Sequence, residues 1–202
     1  MSELSPFVRT HFTKLNTPAR IQDFLDSIPF NAEKTGETCM SPRLVFENRT
    51  AHCLEGALFA YAALLFHGEK PTLMNLKTSR GDDDHAITLF KQNGLYGAIS
   101  KTNHAVLRYR DPIYKTPREL ALSYFHEYFM YKTGKKTLRS YSRPFSLRGF
   151  DPHWIESEKP LWHIADALAT SPHVHLFPES QGRYLKDASP FERRVLDTKE
   201  WE

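Results

Sequence analysis

One cysteine of this 202-residue chain combines a reactive side chain with a position that favours reaction. Cys53 lies near the start of an almost wholly apolar run, residues 51–66, which closes at Gly68 before Pro71 and is typical of a buried helix. With Thr50 as the candidate cap, the thiol would lie in the first helical turn. Unpaired backbone N–H groups and the positive end of the helix dipole favour thiolate over thiol there. Cys53 is therefore a candidate nucleophile, with a small core residue as the alternative.

A histidine that could serve this thiol as a base follows an exposed acidic turn. His85 begins a predicted strand, and Asn93-Gly94 predicts a two-residue type I′ turn between this strand and the next. That register places His85 opposite Thr102. Ser100, opposite Ile87, then points to the same face of the sheet as the imidazole. A nucleophile, a base and an orienting hydroxyl can thus come from one helix start and two adjacent strands.

The order of these residues resembles that of a known family. A cysteine that opens a buried helix, a histidine on a strand and a polar residue on the next strand are similar to the transglutaminase-like branch of the papain-like cysteine enzymes. The segments that carry the resemblance are AHCLEGA, DDDHAITLF and GLYGAISKTN, within residues 51–103. The whole chain also resembles a group of bacterial and archaeal proteins that share the segments IPFN, AHC, DDDH, GAISK, SYF and TLRSY. This second similarity implies a fold but no substrate.

The family resemblance implies roles for individual residues. Cys53 would be the nucleophile and His85 the base, while the third position, where the family usually carries aspartate, falls on Ser100. Asn103 could act as the asparagine of papain does, but the parity of the hairpin sends it to the opposite face. Asp84 adjoins the histidine yet points away from it if the strand already begins there.

Two functions remain open from the sequence. The first is cysteine-dependent acyl transfer through a thioacyl intermediate, as in a cysteine protease or amide hydrolase, with amine transfer less favoured because nothing marks an amine-binding channel. The second is a catalytically inactive transglutaminase-like binding module, because a hydroxyl stabilises an imidazolium less well than a carboxylate does. The expected substrate is a peptide or amide, and no cofactor is implied. The oligomeric state stays open.

The remaining elements predict an α+β fold in which the central buried helix packs on an antiparallel sheet. We expect a single domain over residues 1–202, with a core at about 18–131, an N-terminal helical extension and a C-terminal extension that packs against or covers the core. The predicted elements are helices at 17–30, 117–131 and 160–169, a loop at 31–49, and the strands PTLMNLKT, HAITLFK, LYGAISKT and AVLRYRDP.

Composition and charge restrict the classes of protein and of partner that the sequence allows. Hydrophobic residues make up 40% of the chain and charged residues 25%, which is typical of a globular protein. No apolar run approaches the ~20 residues of a membrane span, and the first fifteen residues lack the apolar centre of a signal peptide, so we expect a cytoplasmic protein without membrane contact. A net charge of +3 is too small to indicate nucleic acid.

Three further hypotheses concern groups outside the Cys53–His85 pair. Cys39 could fold back onto Cys53 and form a redox gate. A metal site matches no familiar ligand spacing, and its candidate ligands are Asp82, Asp84, His85, His126, His173 and His175. A basic and aromatic stretch that could bind nucleic acid contains Lys132, Lys135, Lys136, Arg139, Arg143 and Arg148, with Tyr131, Tyr141 and Phe145 between them.

Overall fold

The computed structural model describes residues 4–201 and has an α+β architecture built on a six-stranded antiparallel sheet. Its strands lie in the order β4-β3-β2-β1-β5-β6. The strands are β1 Thr72–Thr78, β2 His85–Gln92, β3 Leu95–Ile99, β4 Arg110–Tyr114, β5 Leu138–Ser142 and β6 His173–His175. The α-helices are α1 Pro6–Lys14, α2 Pro18–Asp26, α3 Pro42–Asn48, α4 Cys53–Phe66, α5 Pro117–Ser123, α6 Trp162–Ala169 and α7 Pro190–Arg193. Short 3-10 helices cover Phe125–Glu127, Pro152–Glu156, Glu179–Tyr184 and Arg194–Asp197.

Five of the α-helices begin in the same way. A serine or threonine caps the helix and accepts a backbone N–H through its side-chain oxygen, and a proline follows in the first turn. The proline has no N–H to leave unpaired, so each helix starts at a defined residue. The capping residues of α1, α2, α3, α5 and α7 are Ser5, Thr17, Ser41, Thr116 and Ser189.

The β2–β3 hairpin has the predicted turn and register. Asn93 and Gly94 both have positive φ, 50° and 83°, as a type I′ turn requires. The ladder runs from Gln92 opposite Leu95 to Thr88 opposite Ile99. It stops there, so Ser100 and Thr102 lie beyond the paired part of β3.

The central helix α4 lies against β2, as the sequence predicts. Most of α4 is buried, and the Thr88 hydroxyl donates to the carbonyl of Ala57 at 2.5 Å. This contact joins the middle of β2 to the second turn of the helix. His85, the first residue of β2, and Cys53, the first residue of α4, line the same cavity.

Both faces of the sheet are covered, since alternate residues of β2 pack in two different hydrophobic clusters. Ala86 and Phe90 pack with α4 and the N-terminal helices. Ile87 and Leu89 pack with α5 and the segment that follows it. The central helix therefore covers one face together with α6 and the 3-10 helix Pro152–Glu156, and α5 with the segment that follows it covers the other.

Several predicted boundaries need correction. The expected loop at 31–49 contains α3, which its Ser-Pro start could have indicated. The helix expected at 17–30 ends at Asp26, and the helix expected at 117–131 ends at Ser123 and continues as a 3-10 turn. The fourth strand is β4, which starts late because Leu107 has a left-handed backbone with φ of 61°. The HVH segment at 173–175, which lies outside the predicted elements, is strand β6.

The sheet also extends beyond the expected core at 18–131. Strand β5 pairs with β1, and β6 pairs with β5. Before residue 18, α1 contributes Val8 and Phe12 to the buried cluster around α4. The segments expected to be extensions thus supply part of the sheet and of the core.

Within the described part of the chain, every helix is too short or too polar to cross a bilayer.

Candidate active site

Cys53 is the first residue of α4, and the residue that caps the helix is His52, not the expected Thr50. The imidazole Nδ1 of His52 accepts the backbone N–H of Leu54 at 3.2 Å, and its backbone N–H donates to the Glu55 carboxylate at 2.9 Å. This reciprocal pair is a capping box, which satisfies two backbone donors at the helix start. Among residues 4–201, the backbone N–H of Cys53 has no hydrogen-bond acceptor and stays available to a ligand.

Glu55, two residues after Cys53, is fully buried and binds the loop in front of the helix. Its carboxylate accepts hydrogen bonds from the Thr38 hydroxyl at 2.8 Å, the Met40 backbone at 2.9 Å and the Asn31 amide at 3.1 Å. One oxygen of the Glu55 carboxylate also lies 3.4 Å from Nε2 of His52. The same Nε2 donates a hydrogen bond to the Thr38 carbonyl at 3.0 Å. A buried carboxylate with this many donors fixes both the loop and the imidazole.

The His85 imidazole is held by the predicted hydroxyl. Nε2 of His85 lies 2.7 Å from Ser100 Oγ, and both residues are buried. The Ser100 hydroxyl donates its one proton to the Leu107 carbonyl at 2.5 Å. Its oxygen must therefore accept from Nε2–H, because a hydroxyl has only one hydrogen. In neutral His85 the lone pair is then on Nδ1, the nitrogen left for the sulfur of Cys53.

Helix α2 holds Ser100 in place after the β3 ladder ends. The side-chain amide of Gln22 donates to the Ser100 carbonyl at 2.8 Å and accepts the Ser100 N–H at 3.0 Å, so it replaces a neighbouring strand. The next residue, Lys101, is buried and donates to the carbonyls of Leu25 and Ile28 at 2.8 and 2.6 Å, where α2 ends. A cation is favourable at the C-terminal end of a helix.

The two imidazoles make Cys53 an ionisable thiol. Burial alone would raise the pKa of Cys53, but hydrogen bonds from His52 and His85, together with their charge, lower it to about 5. Burial would lower the pKa of His52, but its hydrogen bond to Cys53 and the charge of Glu55 raise it to about 9. Nδ1 of His52 has one role at a time: unprotonated it caps the helix, and protonated it donates to the thiolate.

A cavity of about 600 Å³ opens in front of Cys53 and His85. Tyr128 lines it, is 4% exposed, and within residues 4–201 its hydroxyl has no hydrogen-bond partner. Burial raises the pKa of this phenol, and the charge of Cys53 contributes to the shift. A second cavity of about 620 Å³ adjoins the first, since Asp82 and Lys199 line both.

The two other candidates for the third position hydrogen-bond to groups other than His85. Asn103 is paired with the C-terminal segment: its amide donates to the Trp201 carbonyl at 2.8 Å and accepts the Trp201 N–H at 2.8 Å. Asp84 accepts from the Thr78 backbone at 2.9 Å and from the Asn75 amide at 3.2 Å. Of the three candidates, Ser100 is the residue that contacts the imidazole.

Cys39 is a buried free thiol, and Cys53 is also free. Burial and the negative charge of Glu55 raise the pKa of Cys39 to about 12. A thiol with this pKa is a poor nucleophile at neutral pH.

The candidates for metal and nucleic-acid binding are engaged elsewhere or dispersed. In the range 4–201, no three His, Cys, Asp or Glu side chains are grouped to hold a metal. His173 contacts Asn75 at 3.3 Å and the Ser171 carbonyl at 2.6 Å. Lys136 and Tyr141, in the basic and aromatic stretch, are both buried, so the stretch is not a continuous exposed surface.

His52, Glu55 and Gln22 are site residues that the sequence reasoning missed. His52 and Glu55 have a local signal, because a cap residue with glutamate three positions later marks a helix start. Gln22 has no local signal, because its partner, Ser100, lies 78 positions away in the sequence.

A scan against protein-family models gives no match to this chain, and a search of curated proteins finds no relative.

Proposed function

We propose that this chain is a cysteine-dependent acyl-transfer enzyme with a transglutaminase-like, papain-like core. The reaction is hydrolysis of an amide or peptide, and amine transfer is the less favoured variant. The observation that carries the proposal is the Ser100 hydroxyl between Nε2 of His85 and the Leu107 carbonyl. This arrangement leaves Nδ1 of the imidazole as the base for Cys53.

Acylation begins from the ion pair in which Nδ1 of His85 holds the thiol proton and Cys53 is a thiolate, the state that the low pKa of Cys53 favours. The sulfur attacks the carbonyl carbon of the substrate, and the carbonyl π pair moves to oxygen. The C–N bond then breaks, and Nδ1–H gives its proton to the leaving amine. The product of this step is a thioester on Cys53 and a free amine.

Deacylation uses the same groups in reverse order. Nδ1 of His85 takes a proton from water, the hydroxide oxygen attacks the thioester carbon, and the C–S bond breaks. The acid leaves, and the proton on Nδ1 stays with the imidazolium that pairs with the Cys53 thiolate. The atoms of one water molecule are thus divided between the acid and the amine.

Two donors would stabilise the oxyanion of both tetrahedral intermediates. The backbone N–H of Cys53 has no protein acceptor in the described chain, and the Tyr128 hydroxyl faces the same cavity without a partner. Oxyanion stabilisation by fixed donors is a large component of acyl-transfer catalysis. The two adjoining cavities fit an extended substrate such as a peptide.

Acylation by p-nitrophenyl acetate tests the proposal with an activated ester in place of the natural substrate. In a Cys39→Ala background we expect a burst of p-nitrophenol, an acetyl group on Cys53 in the peptide map, and slow turnover. His85→Ala should slow the burst, and Cys53→Ser should abolish the thioester. The proposal fails if Cys53 stays unmodified, or if it is acetylated equally fast without His85.

The inactive binding module remains the alternative, and the observation that favours it is that no carboxylate within residues 4–201 hydrogen-bonds to His85. The same assay separates the two functions. An inactive binding module would accumulate acetyl-Cys53. Its thioester would hydrolyse no faster than the thioester of the His85→Ala protein.

A further inference from the structure

Leu107, whose carbonyl holds the Ser100 hydroxyl, has a left-handed backbone. Its φ is 61°, a conformation that costs free energy in a residue with a Cβ atom. Strained residues of this kind persist when their surroundings hold them, and they are frequent at functional sites.

The side chain of Glu127 binds the Leu107 backbone from the other side. Its Oε2 accepts the Leu107 N–H at 2.7 Å, while its Oε1 accepts from Nη2 of Arg110 at 2.6 Å. Arg110 is itself fixed, because its Nε donates to Ser123 Oγ at 3.0 Å and its guanidinium stacks 4.0 Å from the Tyr124 ring centroid. The carboxylate thus connects a rigid cation to the strained peptide.

The N–H and C=O of Leu107 belong to different peptide groups, so Glu127 acts on the carbonyl through the backbone conformation. With the N–H held by Glu127, φ stays positive and the carbonyl points at Ser100. If φ relaxed to a negative value, the carbonyl would turn away. The Ser100 hydroxyl would then be free to donate to Nε2 of His85, and the imidazole proton would move to Nδ1.

We infer that Glu127 is a positioning residue that selects the tautomer of His85, by holding Leu107 in the conformation that keeps the Ser100 hydroxyl directed away from the imidazole. This inference rests on the roles proposed above for Cys53 and His85. It adds a carboxylate to the site that touches neither of them.

The tautomer can be measured directly by ¹⁵N NMR of histidine-labelled protein. A Cys53→Ala background keeps His85 free of a thiolate partner, so its neutral form can be observed. We expect Nε2–H in this parent protein and a shift of population toward Nδ1–H in Glu127→Ala. Glu127→Gln retains an oxygen for the Leu107 N–H and should keep the parent tautomer. His67, whose Nε2 lies 2.7 Å from the Phe12 carbonyl, is the internal reference and should not change.

A second variant separates positioning from damage to the fold. Leu107→Gly removes the cost of the left-handed backbone, so in Glu127→Ala it should restore part of the Nε2–H population. In the protein with Cys53 present, Glu127→Ala should slow acetylation by up to ~100-fold, as misplaced catalytic groups do, and Glu127→Gln should be close to the parent.

An unchanged His85 tautomer in Glu127→Ala would overturn the inference, as would equal changes in the Ala and Gln variants. Failure of the proposed function would give a different experimental result. If Cys53 is never acetylated but the tautomer shifts as expected, the acyl-transfer proposal fails while the role of Glu127 stands.

Discussion

The ionisation of Cys53 can be tested by the pH dependence of its alkylation by iodoacetamide. The protein for this experiment is Cys39→Ala, in which Cys53 is the remaining thiol. Two imidazoles, His52 and His85, lower the pKa of Cys53 to about 5 against the pull of burial. Glu55 contributes its charge through His52.

Two effects determine the rate, and they oppose each other. At pH 6 a thiol with a pKa of about 5 is about 90% ionised, whereas one with the ordinary value of 9.0 is about 0.1% ionised, a ratio of about 900. A thiolate of lower pKa is also a weaker nucleophile, and a Brønsted slope of about 0.4–0.5 over this shift reduces the rate by about 40- to 100-fold. The net expectation at pH 6 is a rate roughly 10- to 20-fold above that of an ordinary thiol.

The shape of the profile is therefore more informative than the rate. Alkylation of folded Cys39→Ala, followed by mass spectrometry from pH 4 to pH 10, should rise through an inflection near 5 and remain flat above about pH 6. The same protein in urea should return to an inflection near the ordinary value of 9.0, which is the control for the folded environment. His52→Ala and His85→Ala should each move the inflection upward. A single inflection near 9.0 in the folded protein would refute the thiolate–imidazole site.

Ser100→Ala should lower stability by about 1–3 kcal/mol, measured by urea unfolding, because buried polar groups lose a partner. Ser100→Asp should slow acetylation of Cys53 below the wild-type rate, and a faster rate would contradict the relay through the hydroxyl. Tyr128→Phe should reduce acetylation by about 10²-fold and leave alkylation and unfolding unchanged, since the lost hydroxyl serves the oxyanion alone. Gly56→Ala should destabilise by about 1–3 kcal/mol in the same unfolding assay, because the new Cβ would lie 2.5 Å from Cβ of Lys101; an unchanged midpoint would contradict this packing.

The part of the site that is local in sequence can be predicted. The Asn93-Gly94 turn sets the register of β2 and β3, and with it the shared face of His85 and Ser100, because two-residue type I′ turns leave no freedom of pairing. The apolar run that follows Cys53 predicts the buried helix equally well. Both signals lie within a few residues of the groups that they position.

The remaining part depends on contacts between distant segments. Gln22 pairs with Ser100 across 78 positions, and a polar residue on a helix carries no sign of such a partner. Leu107 has no local signal either, since a left-handed backbone is expected of glycine or asparagine and not of leucine. The cap of α4 is intermediate: His52 and Glu55 form a recognisable pair, but Thr50 is the more common type of capping residue.

The groups around Ser100 explain why this position carries a serine and not an aspartate. The Leu107 carbonyl oxygen lies 2.5 Å from Ser100 Oγ, so the side chain at this position needs a proton to donate. A carboxylate would place two acceptors against each other in a buried site, and the repulsion would raise its own pKa or turn the carbonyl away. A hydroxyl satisfies both neighbours, since it donates to the carbonyl and accepts from Nε2–H of His85. The site has a negative charge on Glu127, where the family would have it on an aspartate beside the histidine. Glu127 accepts a hydrogen bond from the Leu107 backbone N–H, and Arg110 compensates its charge.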